Sequence, residues 1–148
     1  MHWYANPEEI TNIEMEEAFA KHIDNNPRWP MPYFAKASDV LIKKFEDCTV
    51  KGMTISAPGF YGPQGRVLRM PLAKADMVEK FESFRFGDYR ITNFEMEGSA
   101  IAGIARHLGH EAGTVCCVIV NRYLKTSNAD YKPFIEMFVK LVLNKLCE

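Results

Sequence analysis

The chain reads as an α/β protein with a thin sheet, on three observations. Segments with a 3.6-residue apolar rhythm alternate with short β-rich runs. Polar signals gather just after those runs, and open α/β sheets hold ligands beyond the carboxyl ends of their strands. Only three strands are expected, against about five or six in a typical sheet, so part of a larger sheet is implied.

Each element has a local cause. Asn6-Pro7-Glu8-Glu9 is a helix start, with a capping side chain, proline at the first position and acids at the positive end of the dipole. Met15, Phe19 and Ile23 give that helix one buried stripe, and it ends before Asn25-Asn26-Pro27. The prolines of Arg28-Trp29-Pro30-Met31-Pro32 impose an extended connector. Ser38 caps a short helix over residues 39–46, with Val40, Leu41 and Phe45 inward. A strand over residues 49–57 follows, then a Gly/Pro loop. A helix over residues 75–84 puts Met77, Val78 and Phe81 on its apolar face. Residues 90–93 form a short strand that leads into a helix stopping at Gly109. The continuous apolar run over residues 114–120 predicts a central strand buried on both faces. The last helix, from about Lys132, carries Phe134, Met137, Phe138, Leu141, Val142 and Leu146 on one stripe.

Composition excludes several classes. The 148 residues suit one domain, nearly half apolar and a quarter charged. A net charge of −1 speaks against a duplex-binding surface, so no nucleic-acid partner is expected. No apolar run approaches the ~20 residues of a membrane span, and the N-terminus lacks a signal-peptide design. No membrane partner is expected, and the expected location is cytoplasmic. Cys48, Cys116, Cys117 and Cys147 lack zinc-ligand spacing and are expected to be buried, reduced thiols. No metal site is expected.

Three segments carry chemistry. Phe60-Tyr61-Gly62-Pro63-Gln64-Gly65-Arg66 places an aromatic ring, an amide and a guanidinium on one stiffened loop. A planar heterocycle with carbonyl and N–H edges needs that set: a stacking face, a donor with an acceptor, and a donor fork. On composition alone the loop is equally an exposed Gly/Pro surface loop. Glu95 and Glu97 alone are what a helix N-terminus favours, Met96 alone reads as core, and Arg122 at a strand end could pair with a surface carboxylate.

Together, this loop, Asn93-Phe94-Glu95-Met96-Glu97 and Val118-Ile119-Val120-Asn121-Arg122 closely resemble the uridine phosphorylases of the nucleoside phosphorylase superfamily. The resemblance runs from about residue 5 to the C-terminus and covers the C-terminal half of the family's length. It implies a single domain over residues 1–148, the C-terminal part of a three-layer fold with an incomplete mixed sheet flanked by helices. It implies phosphorolysis of uridine to uracil and ribose 1-phosphate in pyrimidine salvage, with inorganic phosphate as co-substrate and no cofactor. By resemblance Phe60 packs on the pyrimidine, Gln64 pairs with O2 and N3, and Arg66 addresses O4. Met96 and Glu97 hold the ribose hydroxyls, while Glu95 stays open between supporting and ribose-holding roles. Arg122 supports the O4 side, and Ile119 and Val120 form pocket wall. Gln64, Arg66 and Glu97 are the catalytic candidates. Purine-specific relatives usually carry an aspartate near this strand end; Asn121-Arg122 favours a pyrimidine.

The family's phosphate loop, phosphate-binding arginines and cross-subunit histidine belong to its N-terminal half, and no segment here matches them. The expectation is that these residues alone bind nucleoside weakly and catalyse little phosphorolysis. Family members are hexamers, so a homo-oligomer is implied. The competing expectations are a purine phosphorylase or nucleosidase, and an inactive nucleoside-binding fragment.

Overall fold

In a computed structural model, residues 11–147 are described. Helix α1, Ile13–His22, starts at Asn12, whose side chain accepts a hydrogen bond from the Met15 N–H at 2.9 Å. Glu14 and Glu16 lie in its first turn and Lys21 and His22 in its last, as the dipole favours. The helix start expected at Asn6-Pro7 lies outside the described residues. Helix α2, Asp39–Phe45, is capped by Ser38, whose hydroxyl accepts from the Leu41 N–H at 3.2 Å.

Strand β1, Met53–Ser56, pairs in parallel with β3, Tyr89–Glu95. The register sets Thr54 against Asn93, Ile55 against Phe94 and Ser56 against Glu95, so both carboxyl ends finish side by side. Between them run α3, Met77–Ser83, and the short strand β2, Arg85–Phe86. β2 turns back onto β3 through Gly87, whose φ of +55° suits glycine. Helix α4, Gly98–His107, follows β3 and packs near β1, with Gly109 at φ +76° just beyond its end. A second hairpin joins β4, Val120–Asn121, to β5, Thr126–Ser127. Helix α5, Lys132–Cys147, ends the chain's described part.

The core is aromatic. Met15 and Phe19 of α1 meet Met53, Phe81 and Phe84, with Ile23, Phe34, Ile55 and Phe94 packed around them. Phe19 meets Phe84 edge-on at 4.9 Å and stacks on Phe81 at 5.8 Å between ring centroids. The ends of α1 and α3 are also tied: the His22 Nε2 lies 2.9 Å from the Lys80 carbonyl, and the Lys80 ammonium pairs with Asp24. A mixed α/β fold with a small mixed sheet flanked by helices thus stands as expected.

Four expectations are corrected. Residues 114–119 are not a central strand: among the described residues the run carries no ladder, and Val118 is 62% exposed. β propensity fits a pleated, half-buried surface, and a run forms a strand only where neighbours complete its hydrogen bonds. The regular pairing begins only at Val120, where the tight turn brings β5 back. In α2, Val40 faces outward, because a seven-residue helix buries only the narrow arc around Phe45. The stripe of α5 is real in spacing, yet the helix has no buried residue, and Met137 is 64% exposed. Periodicity marks which face is apolar, not what covers it. The cysteines are free, but none is buried: Cys116 and Cys117 are half-buried, and Cys48 and Cys147 are exposed, since they lie past the end of α2 and in the last turn of α5. Among the described residues, no helix is long and apolar enough to cross a membrane.

Candidate functional site

The site begins where β1 ends. Ala57 continues the ladder by donating its N–H to the Glu95 carbonyl at 2.9 Å. The chain then leaves the sheet and closes a 3-10 turn over Gly62–Gln64, with proline in its first positions. Gly65, at φ +76°, ends the turn, and its N–H returns to the Gly62 carbonyl at 2.9 Å. A β-carbon there would overlap Val78 Cγ2 of α3, so the missing side chain lets the loop lie on the helix. This geometry turns Gln64 inward. It is 3% exposed, the buried polar residue among an otherwise apolar set.

A buried amide needs partners. The Gln64 Oε1 accepts from Arg66 at 3.0 Å and also from Arg122, which donates a second bond to the Gln64 backbone carbonyl. Arg122 reaches it from the β4–β5 hairpin. There Asn121 accepts from the Leu124 N–H at 2.9 Å, and Lys125 takes a left-handed φ of 53°. Each guanidinium also lies on an aromatic face: Arg66 over Phe60 at 3.6 Å, Arg122 over Phe94 at 4.9 Å. Arg66 donates to the Phe60 carbonyl as well.

Two positive groups thus share one neutral acceptor. Burial, and then the charge of Arg66, lower the proton affinity of Arg122. Among the described residues no carboxylate forms an ion pair with either arginine. They face an open cleft of about 780 Å³ whose walls include Gln64, Arg66, Leu72, Val78, Val120 and Arg122. Such a cleft suits a planar group rich in carbonyl oxygens, or one that gains negative charge as it reacts.

The acidic segment forms a separate knot. Glu95 accepts from the Ser56 hydroxyl through Oε1, and from the N–H groups of Glu97 (2.7 Å) and Gly98 through Oε2. Glu97 and Met96 are exposed at the start of α4, and among the described residues the Glu97 carboxylate makes only a local bond to the Met96 N–H at 3.3 Å. No hydrogen bond among the described residues joins this knot to the Gln64 group. Phe60 is 51% exposed beside the cleft, while Ile119 is half-buried and binds Asn128 through its carbonyl. Neither Phe60, Ile119 nor the acidic segment lines the cleft itself. No local signal in the sequence marks Ser56 or Phe94 as a contact; the strand register places Ser56 against Glu95.

Glu95 gives a pH expectation. Burial pushes its carboxyl up, but hydrogen bonds from Ser56 and from the Glu97, Gly98 and Met96 N–H groups outweigh that and hold it below 4.5. The unfolded chain therefore takes up this proton first as pH falls. The stability it contributes is full above about pH 4.5 and is lost as pH drops through the lower folded value. Urea midpoints measured from pH 7 to pH 3 should fall below that point, and Glu95→Gln should flatten part of the fall. Equal slopes for both proteins would contradict the assignment.

Residues 4–147 match the family model described as the phosphorylase superfamily, and the chain belongs to that superfamily. Over 98 residues it is 36% identical to the protein named inactive uridine phosphorylase B of Schistosoma mansoni. That stretch is 63% of this chain and 33% of the relative, so the chain matches about a third of that relative's length. No solved structure matches the chain.

Proposed function

We propose that the chain builds the base-binding and ribose-binding part of a uridine phosphorylase-type site. The observation that carries the reading is the convergence of Arg66 and Arg122 on the buried Gln64 amide, at the carboxyl ends of parallel strands. In the reaction a phosphate oxygen bonds to C1′ of uridine as the C1′–N1 bond breaks. The electron pair leaves with uracil, whose carbonyl oxygens carry the growing charge until N1 is protonated. Donors fixed before reaction stabilise such an anion without reorganising. Arg66 and Arg122 supply those donors, and Gln64 matches the edge of the ring. Glu97, with its carboxylate exposed, accepts from a ribose hydroxyl and orients the sugar. Phosphate is the co-substrate, delivered in this proposal by groups that no segment of this sequence resembles.

In the free chain Arg66 covers the Phe60 face, so an entering pyrimidine takes that face as the guanidinium moves to its carbonyl. Phe60→Ala is expected to weaken uridine binding about tenfold, the scale of one base–aromatic stack. Its melting temperature should stay near the parent's, because half of the side chain is already in water. Titration calorimetry with uridine and inosine tests the reading. Uridine should bind and inosine should bind at least tenfold more weakly; the reverse order would point to a purine enzyme of the superfamily.

A second reading is a protein that binds nucleoside without phosphorolysis, favoured by the word "inactive" in the name of the Schistosoma relative. Uracil release from uridine and phosphate separates the two. Release at an ordinary enzymatic rate removes the binding-only reading.

A further inference from the structure

We infer that Glu95 is a positioning residue that sets the backbone carrying Glu97, and that it does not itself meet the nucleoside; this rests on the nucleoside reading above. The two acids stand two residues apart with the same local sequence signal, yet their surroundings differ. The Glu95 carboxylate is satisfied by the protein on both oxygens, by the Ser56 hydroxyl on one side and by the Glu97 and Gly98 N–H groups on the other. That leaves little acceptor capacity for a sugar hydroxyl. The Glu97 carboxylate is exposed and, among the described residues, engages only the neighbouring Met96 N–H.

The holder is itself braced. The Ser56 oxygen that donates to Glu95 accepts from the Ser99 N–H at 2.8 Å, and the Ser99 hydroxyl shares a hydrogen bond with Tyr33 at 2.9 Å. The Glu95 carboxylate thus ties the end of β1 to the start of α4, and Ser99 links that junction to Tyr33. Gly98 completes the cradle: a β-carbon there would stand 3.1 Å from the Glu95 carboxyl carbon and 2.5 Å from Thr114 Oγ1. The first turn of α4 has no side-chain cap from Glu97; Glu95 takes the Gly98 N–H and Ser56 the Ser99 N–H instead. Removing this carboxylate releases the turn from which Glu97 projects, and a ribose contact made by Glu97 then loses its fixed geometry.

The test compares uridine with uracil, since only the nucleoside reports on the sugar. With the 148-residue chain, Glu95→Ala should lower the uridine-to-uracil affinity ratio about tenfold, as loss of one charge-assisted contact would. Glu95→Gln should recover part of it, because the amide oxygen can still accept from the helix N–H groups. Glu97→Ala should lower the same ratio. A uridine-to-uracil ratio unchanged in Glu95→Ala, with Glu97→Ala affected, would overturn the inference; general destabilisation lowers both affinities and leaves the ratio alone. If the parent binds no uridine, the nucleoside reading is what fails. Amide exchange then decides the positioning claim: protection lost at Glu97 and Gly98 in Glu95→Ala supports it, and unchanged protection overturns it.

Discussion

Gln64→Ala should unfold the chain about 2–3 kcal/mol more easily, the cost of leaving buried or charged donors without their acceptor. In a chain of this length that is a fall of roughly 5–10 °C in melting temperature. The size follows from what converges on the amide. Two guanidiniums donate to Oε1, and truncation leaves Arg122 with the backbone carbonyl alone and Arg66 with the Phe60 carbonyl. Gln64→Glu separates stability from recognition. A carboxylate brings the charge the two arginines lack, so the melting temperature should hold or rise. The side chain loses its N–H donor and places a negative charge where uracil carbonyls would lie, so uridine binding should disappear. Thermal melts read beside uridine titrations check both variants. An alanine variant as stable as the parent would contradict the convergence of both arginines on this side chain.

Gly65→Ala should cost about 2–5 kcal/mol for two reasons that can be measured apart. A φ of +76° is unfavourable for any side chain with a β-carbon by about 1–2 kcal/mol. The added methyl also overlaps Val78 of α3, and overpacking costs about 1–3 kcal/mol. Combining it with Val78→Ala removes the overlap and leaves the backbone term. Urea unfolding of both single variants and the double variant gives the coupling. The pair should be less destabilised than the sum of its parts. Simple additivity would mean that the loop does not rest on α3. Since Gln64 precedes Gly65, the single variant should also weaken uridine binding.

What the residues disclosed beforehand was what local spacing decides. Met15 and Phe19 fall on one helical face, and both are in the core. Ser38 caps α2 through its own hydroxyl, and the Gly/Pro pattern after β1 produced a turn that buries an amide. Non-local pairing was not legible. The apolar run at 114–119 has every property of a central strand except neighbours, and no residue within it says whether neighbours exist. β2 is two residues long and exists because Gly87 turns it onto β3. Glu95 and Glu97 look alike in sequence; the β1–β3 register, by setting Ser56 opposite Glu95, gives them different partners. The stripe of α5, with Phe134, Met137, Leu141 and Leu146 exposed, shows the same limit in a helix.

The most direct measurement of the central claim is a side-chain NMR titration with uridine, following the Gln64 amide and the Nε–H signals of Arg66 and Arg122. If the cleft receives the uracil ring, these signals shift together with one saturation curve, and uracil alone moves them in the same directions. Shifts confined to other parts of the chain, with the Gln64 and arginine signals unmoved, would contradict it.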